Sequence, residues 1–428
     1  MTHTTPSPAT APVAGTLEHW AALQPDALAL VEGAHRLTWS QWNAQADRLA
    51  AALQARGLVP GDIVIVRTQS RVEWPVLASA LAKIGCRLLG LNWRLTQSEI
   101  LHVLNNSRAN AIVCDDADPA ALLPVFEGQA LKLAVSIDVP AAGFITLAEL
   151  LASAPTDQRF FSRGDPALII YTSGTTGLPK GVELNHSPDL SDPVLTEYLL
   201  DVRSKRVHDG RSAFLVSMPM HHGSGPGQVW SAQRGGALAV LQRRFDPEDT
   251  LRLIDQYQIS HWTGVPTMYK RIASLPPETL ARYSLRSIRQ LSVGAAPVSA
   301  DLKRWIIGRM GDCLTEGYGS TETGMLTHMP ASSQALKLGS SGLPYRGVRL
   351  QIRDADGQPL ATGETGEIWA WTPVNIRNYL NAPPLDHETL GADGFFRTGD
   401  MGHLDADGYL WISDRAKDMV IAGGVNIY

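Results

Sequence analysis

Two stretches of this chain alternate short, wholly apolar runs with segments whose apolar residues recur at helical spacing, and that alternation limits the fold more than any other feature. In the first, Thr38 is placed to cap a helix with the apolar stripe Trp42, Ala46, Leu49, Ala50 and Leu53, and Gly57 stops it. A strand is expected at 63–66, a helix at 74–84, a strand at 88–91, a helix at 98–104 and a strand at 111–114. Strands that are apolar throughout must be covered on both faces, which implies a largely parallel sheet with helices on either side. The pattern returns after residue 165, with strands expected at 168–170, 213–216, 238–241 and 261–263, and helices at 247–257, 266–274 and 299–310. A chain of 428 residues also exceeds one typical core, so more than one packed unit is required.

From about residue 345 the texture changes. Strand-like runs at 349–353, 366–371 and 409–412 are separated by turn signals such as Asp356-Gly357 and 405–408, the signature of a small antiparallel sheet or barrel. The expected fold class is therefore α/β, with two stacked parallel-type α/β subdomains plus a small antiparallel β-barrel. Residues 1–15, rich in Thr, Pro and Ala, read as a flexible tail. The subdomains are expected at roughly 16–164, 165–344 and 345–416. The last segment, 417–428, reads as a hairpin turning at Gly423-Gly424. A lone hairpin is marginal in water, so a further domain is expected to follow it.

Bulk properties exclude several classes. Hydrophobic residues make up 44% and charged residues 18% of the chain, an ordinary balance for a soluble globular protein. The net charge is -5 and no dense Lys/Arg block occurs, which argues against nucleic acid or an anionic membrane as partner. No run reaches the roughly eighteen apolar residues of a membrane span. The three cysteines, Cys86, Cys114 and Cys313, lack metal-ligand spacing and read as buried thiols, so a cytoplasmic location is expected.

Chemistry concentrates in 171–181, where Tyr171-Thr-Ser-Gly-Thr-Thr-Gly-Leu-Pro-Lys180-Gly181 follows the apolar run 167–170. A buried strand that opens into small hydroxylated residues can bring backbone N–H groups, hydroxyls and one ammonium against phosphate. This is not a Walker A loop, because Pro179 precedes Lys180 and Gly181 follows it. Alone, such a segment is equally suited to a plain surface loop.

Four further segments follow in order: Gly294-Ala-Ala-Pro297, Gly317-Tyr-Gly-Ser-Thr-Glu322, Arg397-Thr-Gly-Asp400 and Asp414-Arg-Ala-Lys-Asp418. Together with 171–181 the set resembles the acyl-adenylate-forming superfamily of acyl-CoA synthetases, peptide-synthetase adenylation domains and luciferases. The resemblance spans nearly the whole chain and implies the large N-terminal domain of such an enzyme. It further implies activation of a carboxylic acid by ATP and Mg2+ to an acyl-AMP, then transfer to coenzyme A.

The same resemblance implies site residues. Thr172, Ser173, Thr175, Thr176 and Lys180 would hold the β- and γ-phosphates, with Gly174 and Gly177 permitting close backbone approach. Glu322, with Thr176, would ligate Mg2+, and Thr321 would touch the α-phosphate. Glu316, Gly317, Tyr318 and Gly319 would border the nucleotide, Tyr318 offering its face to adenine beside Gly294, Ala295, Ala296 and Pro297. Asp400 would accept from the ribose hydroxyls, assisted by Arg415. His222, Gly223, Gly319, Gly324 and Met325 would line the acid site. Lys180, Thr176, Glu322 and His222 are the candidate catalytic residues, and Lys417 would be the hinge of a swinging C-terminal domain. The chain ends short of the lysine which that domain contributes in the family, so impaired turnover is expected of it.

Some positions depart from the family pattern. Ala370-Trp371-Thr372, Asn378-Tyr379 and Tyr345 stand where Arg-Gly, Gly-Tyr and proline are common, which concerns the pocket rim more than ATP chemistry. Amino-acid-activating relatives place an aspartate in the segment aligned with 218–223 to pair with the substrate ammonium. This chain has Met218-Pro-Met-His-His-Gly223 and no acidic residue there. An unpaired buried ammonium is costly, so an aryl, alicyclic or fatty acid is the expected substrate. Two alternatives remain: an adenylation domain that loads a carrier protein's phosphopantetheine, or a non-catalytic sensor of nucleotide or acyl-adenylate.

Overall fold

The structure, a computed structural model, describes residues 12–155, 158–162, 164–172, 178–184, 191–205, 211–296, 298–415, 420–422 and 425–427. Two large sheets dominate. One has seven strands in the order Ile145–Thr146, Leu133–Ser136, Ala111–Cys114, Ile63–Arg67, Arg87–Gly90, Leu168–Thr172 and Lys180–Leu184. All its pairings are parallel except the last, where Leu168–Thr172 and Lys180–Leu184 run antiparallel. The other has nine strands, with a parallel centre built from Gln290–Val293, His261–Gly264, Ala213–Val216 and Leu238–Leu241.

Each large sheet takes border strands from the other half of the chain. Leu28–Glu32 and His35–Thr38, which precede the first alternating stretch, close one edge of the nine-stranded sheet, with Leu30 opposite Ala239. Conversely, Leu168–Thr172 and Lys180–Leu184, from the second stretch, close the seven-stranded sheet. A boundary near 164/165 therefore cuts through both sheets. Strand pairing across such distances leaves no local mark in the sequence.

Local signals did set the helices. Thr38 caps the helix Trp39–Ala55 through a full capping box with Gln41, which satisfies backbone donors that the first turn leaves open. Its stripe, including Trp42, Leu49 and Leu53, is almost completely buried. The helices Trp39–Ala55, Glu73–Ile84 and Ser224–Arg234 share one buried cluster with Val64 and Leu88 of one sheet and Phe214 and Val216 of the other. These helices thus form a layer common to both sheets. Truncating a fully buried leucine such as Leu49 to alanine should cost about 2–5 kcal/mol. Beneath this layer the Lys83 ammonium, inaccessible to solvent, pairs with Glu18 at 2.6 Å and Asp47 at 2.9 Å and joins three helices. Burial would raise the Glu18 carboxyl, yet the adjacent ammonium holds it below its ordinary value.

The small antiparallel unit expected after 345 is a four-stranded meander: Arg349–Arg353, Gly366–Trp371, Phe396–Leu404 and Leu410–Arg415. It docks on the nine-stranded sheet through backbone bonds of Ser341 and Leu410 and of Gly342 and Leu410. Val420–Ala422 and Val425–Ile427 pair antiparallel, as the hairpin reading expected. The cysteines are buried, and burial pushes the Cys86 and Cys114 thiols up to about 12 and Cys313 to about 11. Among the described residues no helix is long and apolar enough to cross a membrane.

Candidate active site

Pairing of Leu168–Thr172 with Lys180–Leu184 sets Thr172 directly opposite Lys180 and so brings together the two ends of the hydroxyl-rich motif. Ser173, Gly174, Thr175, Thr176 and Gly177 lie outside the described residues, as do Pro297 and Lys417. The Thr172 hydroxyl donates to Glu322 Oε1 at 3.2 Å, although 150 positions separate them in the chain. The Tyr379 hydroxyl reaches the same oxygen at 3.5 Å. Tyr379 also lies under Lys180, whose Nζ is 5.0 Å from the ring centroid. The Ile376 N–H donates to the Glu322 carbonyl and the Leu380 N–H to that of Gly181, which fixes 376–380 across both tips. One lysine, one carboxylate and two hydroxyls therefore converge from three separated segments.

Glu322 sits at the turn of a hairpin formed by Leu314–Ser320 and Gly324–Met329 toward the other side of the nine-stranded sheet, where the short strand Leu343–Pro344 is the edge. The same hairpin carries Tyr318, and its hydroxyl donates to Asp400 Oδ2 at 2.7 Å. Asp400 is buried at 5% exposure, in the strand position opposite Arg415. The Arg415 side chain lies outside the described residues. Gly294 abuts the hairpin so closely that an added Cβ would stand 3.3 Å from the Gly317 carbonyl. Next to it Ala295 has φ +63, a left-handed conformation that costs an alanine about 1–2 kcal/mol. The Glu316 carboxylate is buried and pairs with Lys303 at 2.5 Å, which ties the strand to the helix Ala300–Met310.

On the acid side, His222 and Gly223 follow the strand Ala213–Val216, and Gly223 faces Ile170, with 3.4 Å from its hypothetical Cβ to the isoleucine methyl. Burial pushes His222 below its ordinary value and His221 down to about 3, so both imidazoles are neutral near pH 7. The neighbouring Arg94 and Arg67 add to the His221 shift. Gly319, Gly324 and Met325 form the hairpin end, where any side chain on Gly319 would collide with the Gly324 carbonyl.

These groups suit a nucleotide and a hard cation. Hydroxyl and carboxylate oxygens are the donors that magnesium prefers. Among the described residues no group of three or more His, Cys, Asp or Glu could hold a metal ion. Tyr379 is the site residue that sequence reading missed; it registered there only as a departure at 378–379.

Residues 17–380 match the family model described as AMP-binding enzyme. The chain belongs to that family. Relatives of this AMP-binding enzyme include a feruloyl-CoA synthase from Amycolatopsis, 33% identical, which covers 95% of this chain and is covered over 79% of its own length. A fatty acid–[acyl-carrier-protein] ligase from Streptomyces coeruleorubidus is 32% identical, over 93% of this chain and 76% of the relative. Among solved structures, an amide bond synthetase from Marinactinospora thermotolerans superposes with a TM-score of 0.81 at 26% identity, over 94% of this chain and 79% of the other. The α/β architecture with its small antiparallel sheet is that of the family's large domain.

Proposed function

We propose that this AMP-binding enzyme activates a carboxylic acid lacking an α-ammonium group with ATP and passes the acyl group to coenzyme A. The observation that carries this reading is the joining of Thr172, Lys180, Glu322 and Tyr379 at the tip of the hairpin whose strand also holds Tyr318 against Asp400. Groups suited to phosphate and to a sugar thus meet one hairpin at two places, at Glu322 and at Tyr318, which supports a nucleotide lying along it.

In the first step a substrate carboxylate oxygen bonds to the α-phosphorus. The bond from that phosphorus to the oxygen bridging to the β-phosphate breaks, and pyrophosphate departs with its electron pair. Lys180 and the hydroxyls of Thr172, Ser173, Thr175 and Thr176 would hold the departing phosphates, where preorganised charge has the most effect on the barrier. Magnesium held by Glu322 and Thr176 would neutralise phosphate oxygens. Asp400 and Arg415 would fix the ribose, Tyr318 and 294–297 the adenine, and Thr321 the α-phosphate. In the second step the coenzyme A thiol gives up its proton and its sulfur bonds to the acyl carbon, while the bond from that carbon to the phosphate oxygen breaks and AMP leaves with the electron pair.

His222, Gly223, Gly324 and Met325 would border the acid. A substrate ammonium there would meet neutral imidazoles, and residues 218–223 offer no carboxylate to pair with it, which disfavours α-amino acids. Residues 16–416 would make up the adenylating unit, with Lys417 as the hinge. The test is pyrophosphate exchange over a panel of aryl, cyclic and straight-chain acids, followed by thioester formation with free coenzyme A or a phosphopantetheinylated carrier protein. Exchange with at least one acid but none with α-amino acids is the expected result; exchange with none refutes the reading. Thioester formation only on the carrier would reassign the acceptor.

A further inference from the structure

The hairpin that carries Glu322 contains an irregularity. Its strands pair Tyr318 with Thr327 and then Gly319 with Met325, so Leu326 is an extra residue and the ladder slips beside it. A bulge of this kind leaves backbone groups without their usual ladder partners. Here both polar backbone groups of Met325 turn to one side chain from elsewhere. The Met325 N–H donates to the Tyr198 hydroxyl oxygen at 2.9 Å, and that hydroxyl donates to the Met325 carbonyl at 3.0 Å.

Tyr198 belongs to the helix Pro193–Ser204 and is its one buried residue, at 4% exposure. The rest of the helix is half-buried or exposed, and Asp201 on it also accepts from the Arg346 N–H at 3.0 Å, so this ring is its one deep anchor. The ring meets Tyr345 edge to face at 6.4 Å. The fit at the hairpin requires glycine: Gly324 has φ +71, and a Cβ there would sit 2.8 Å from the Tyr198 hydroxyl and 2.8 Å from a Val374 methyl. Met325 in turn projects its terminal methyl against Gly317, where an added Cβ would approach to 2.7 Å. The Tyr198 hydroxyl thus bears on the backbone that joins the Glu322 turn to the acid-pocket floor.

We infer that Tyr198 is a positioning residue, a hydroxyl clamp that holds the Gly324–Met325 floor against the incoming acid. This deepens the proposed function and rests on it for its kinetic consequence. Tyr198→Phe keeps the ring and its packing and removes only the hydroxyl. The half-buried N–H and C=O of Met325 then lose this hydroxyl, a loss large enough to loosen a short turn.

The experiment compares the intact wild-type chain with Tyr198→Phe by hydrogen exchange and by pyrophosphate exchange. Faster exchange confined to the peptide containing Met325, with the helix Trp39–Ala55 unchanged, supports the clamp. Kinetically, the KM for the acid should rise about tenfold, while the KM for ATP stays within roughly twofold. Unaltered protection at Met325, or an equal rise in both constants, overturns the inference. Should the wild type exchange pyrophosphate with no acid, the functional reading fails, and protection at Met325 alone then decides for or against the clamp.

Discussion

The two ends of the candidate nucleotide site are built differently. At the sugar end Asp400 is buried and receives the Tyr318 hydroxyl at 2.7 Å, a short bond to a carboxylate set between strands of the meander. At the phosphate end Lys180 is exposed, has no carboxylate within ion-pair distance among the described residues, and rests on the Tyr379 ring. The hydroxyl contacts to Glu322 there are long, at 3.2 and 3.5 Å. One end is ready-made, while the other keeps its charges uncommitted. That difference suits a reaction in which the nucleoside is retained through both steps and the β- and γ-phosphates are released after the first.

Three substitutions would break or sharpen this contrast. The largest effect is expected at the phosphate end: Glu322→Ala should lower the pyrophosphate exchange rate on the order of 10²-fold, typical for loss of one group that stabilises developing charge. Exchange at the wild-type rate would remove Glu322 from the chemistry. At the sugar end, Asp400→Asn should weaken ATP and AMP equally, by about tenfold each, since both ligands carry the ribose. Calorimetric titration that found a selective loss of ATP would place Asp400 elsewhere. The smallest effect is expected for Lys180→Ala, roughly fivefold weaker binding of ATP as befits an exposed charge, and no change for a non-hydrolysable acyl-AMP analogue. Equal weakening of both ligands would contradict a role at the β- and γ-phosphates.

What could be read beforehand follows from the range of the forces involved. Caps and apolar runs act over a few residues, so the strands Ala111–Cys114 and Gly366–Trp371 and the helix Pro247–Tyr257 fall where the pattern placed them. The hairpin that bears Tyr318 was recognisable as a motif but not as strands, because Gly317 and Gly319 lack the β-branched bulk that marks one. Tyr379 and Tyr198 reach their partners across 57 and 127 positions, and neither is flanked by residues that announce a site. Glu316 was grouped with nucleotide contacts by its place in the motif. Its engagement with Lys303 depends on helix Ala300–Met310 crossing behind the strand, which only the packed structure reveals.

The exchange of edge strands between the two large sheets makes the halves interdependent. Leu28–Glu32 cannot leave the nine-stranded sheet without exposing Leu238–Leu241, and Leu168–Thr172 cannot leave the seven-stranded one without baring Arg87–Gly90. Cleavage of the backbone near 165 would therefore yield two fragments that each lack a border belonging to the other. The halves are woven together, so neither fragment could complete its own sheet alone.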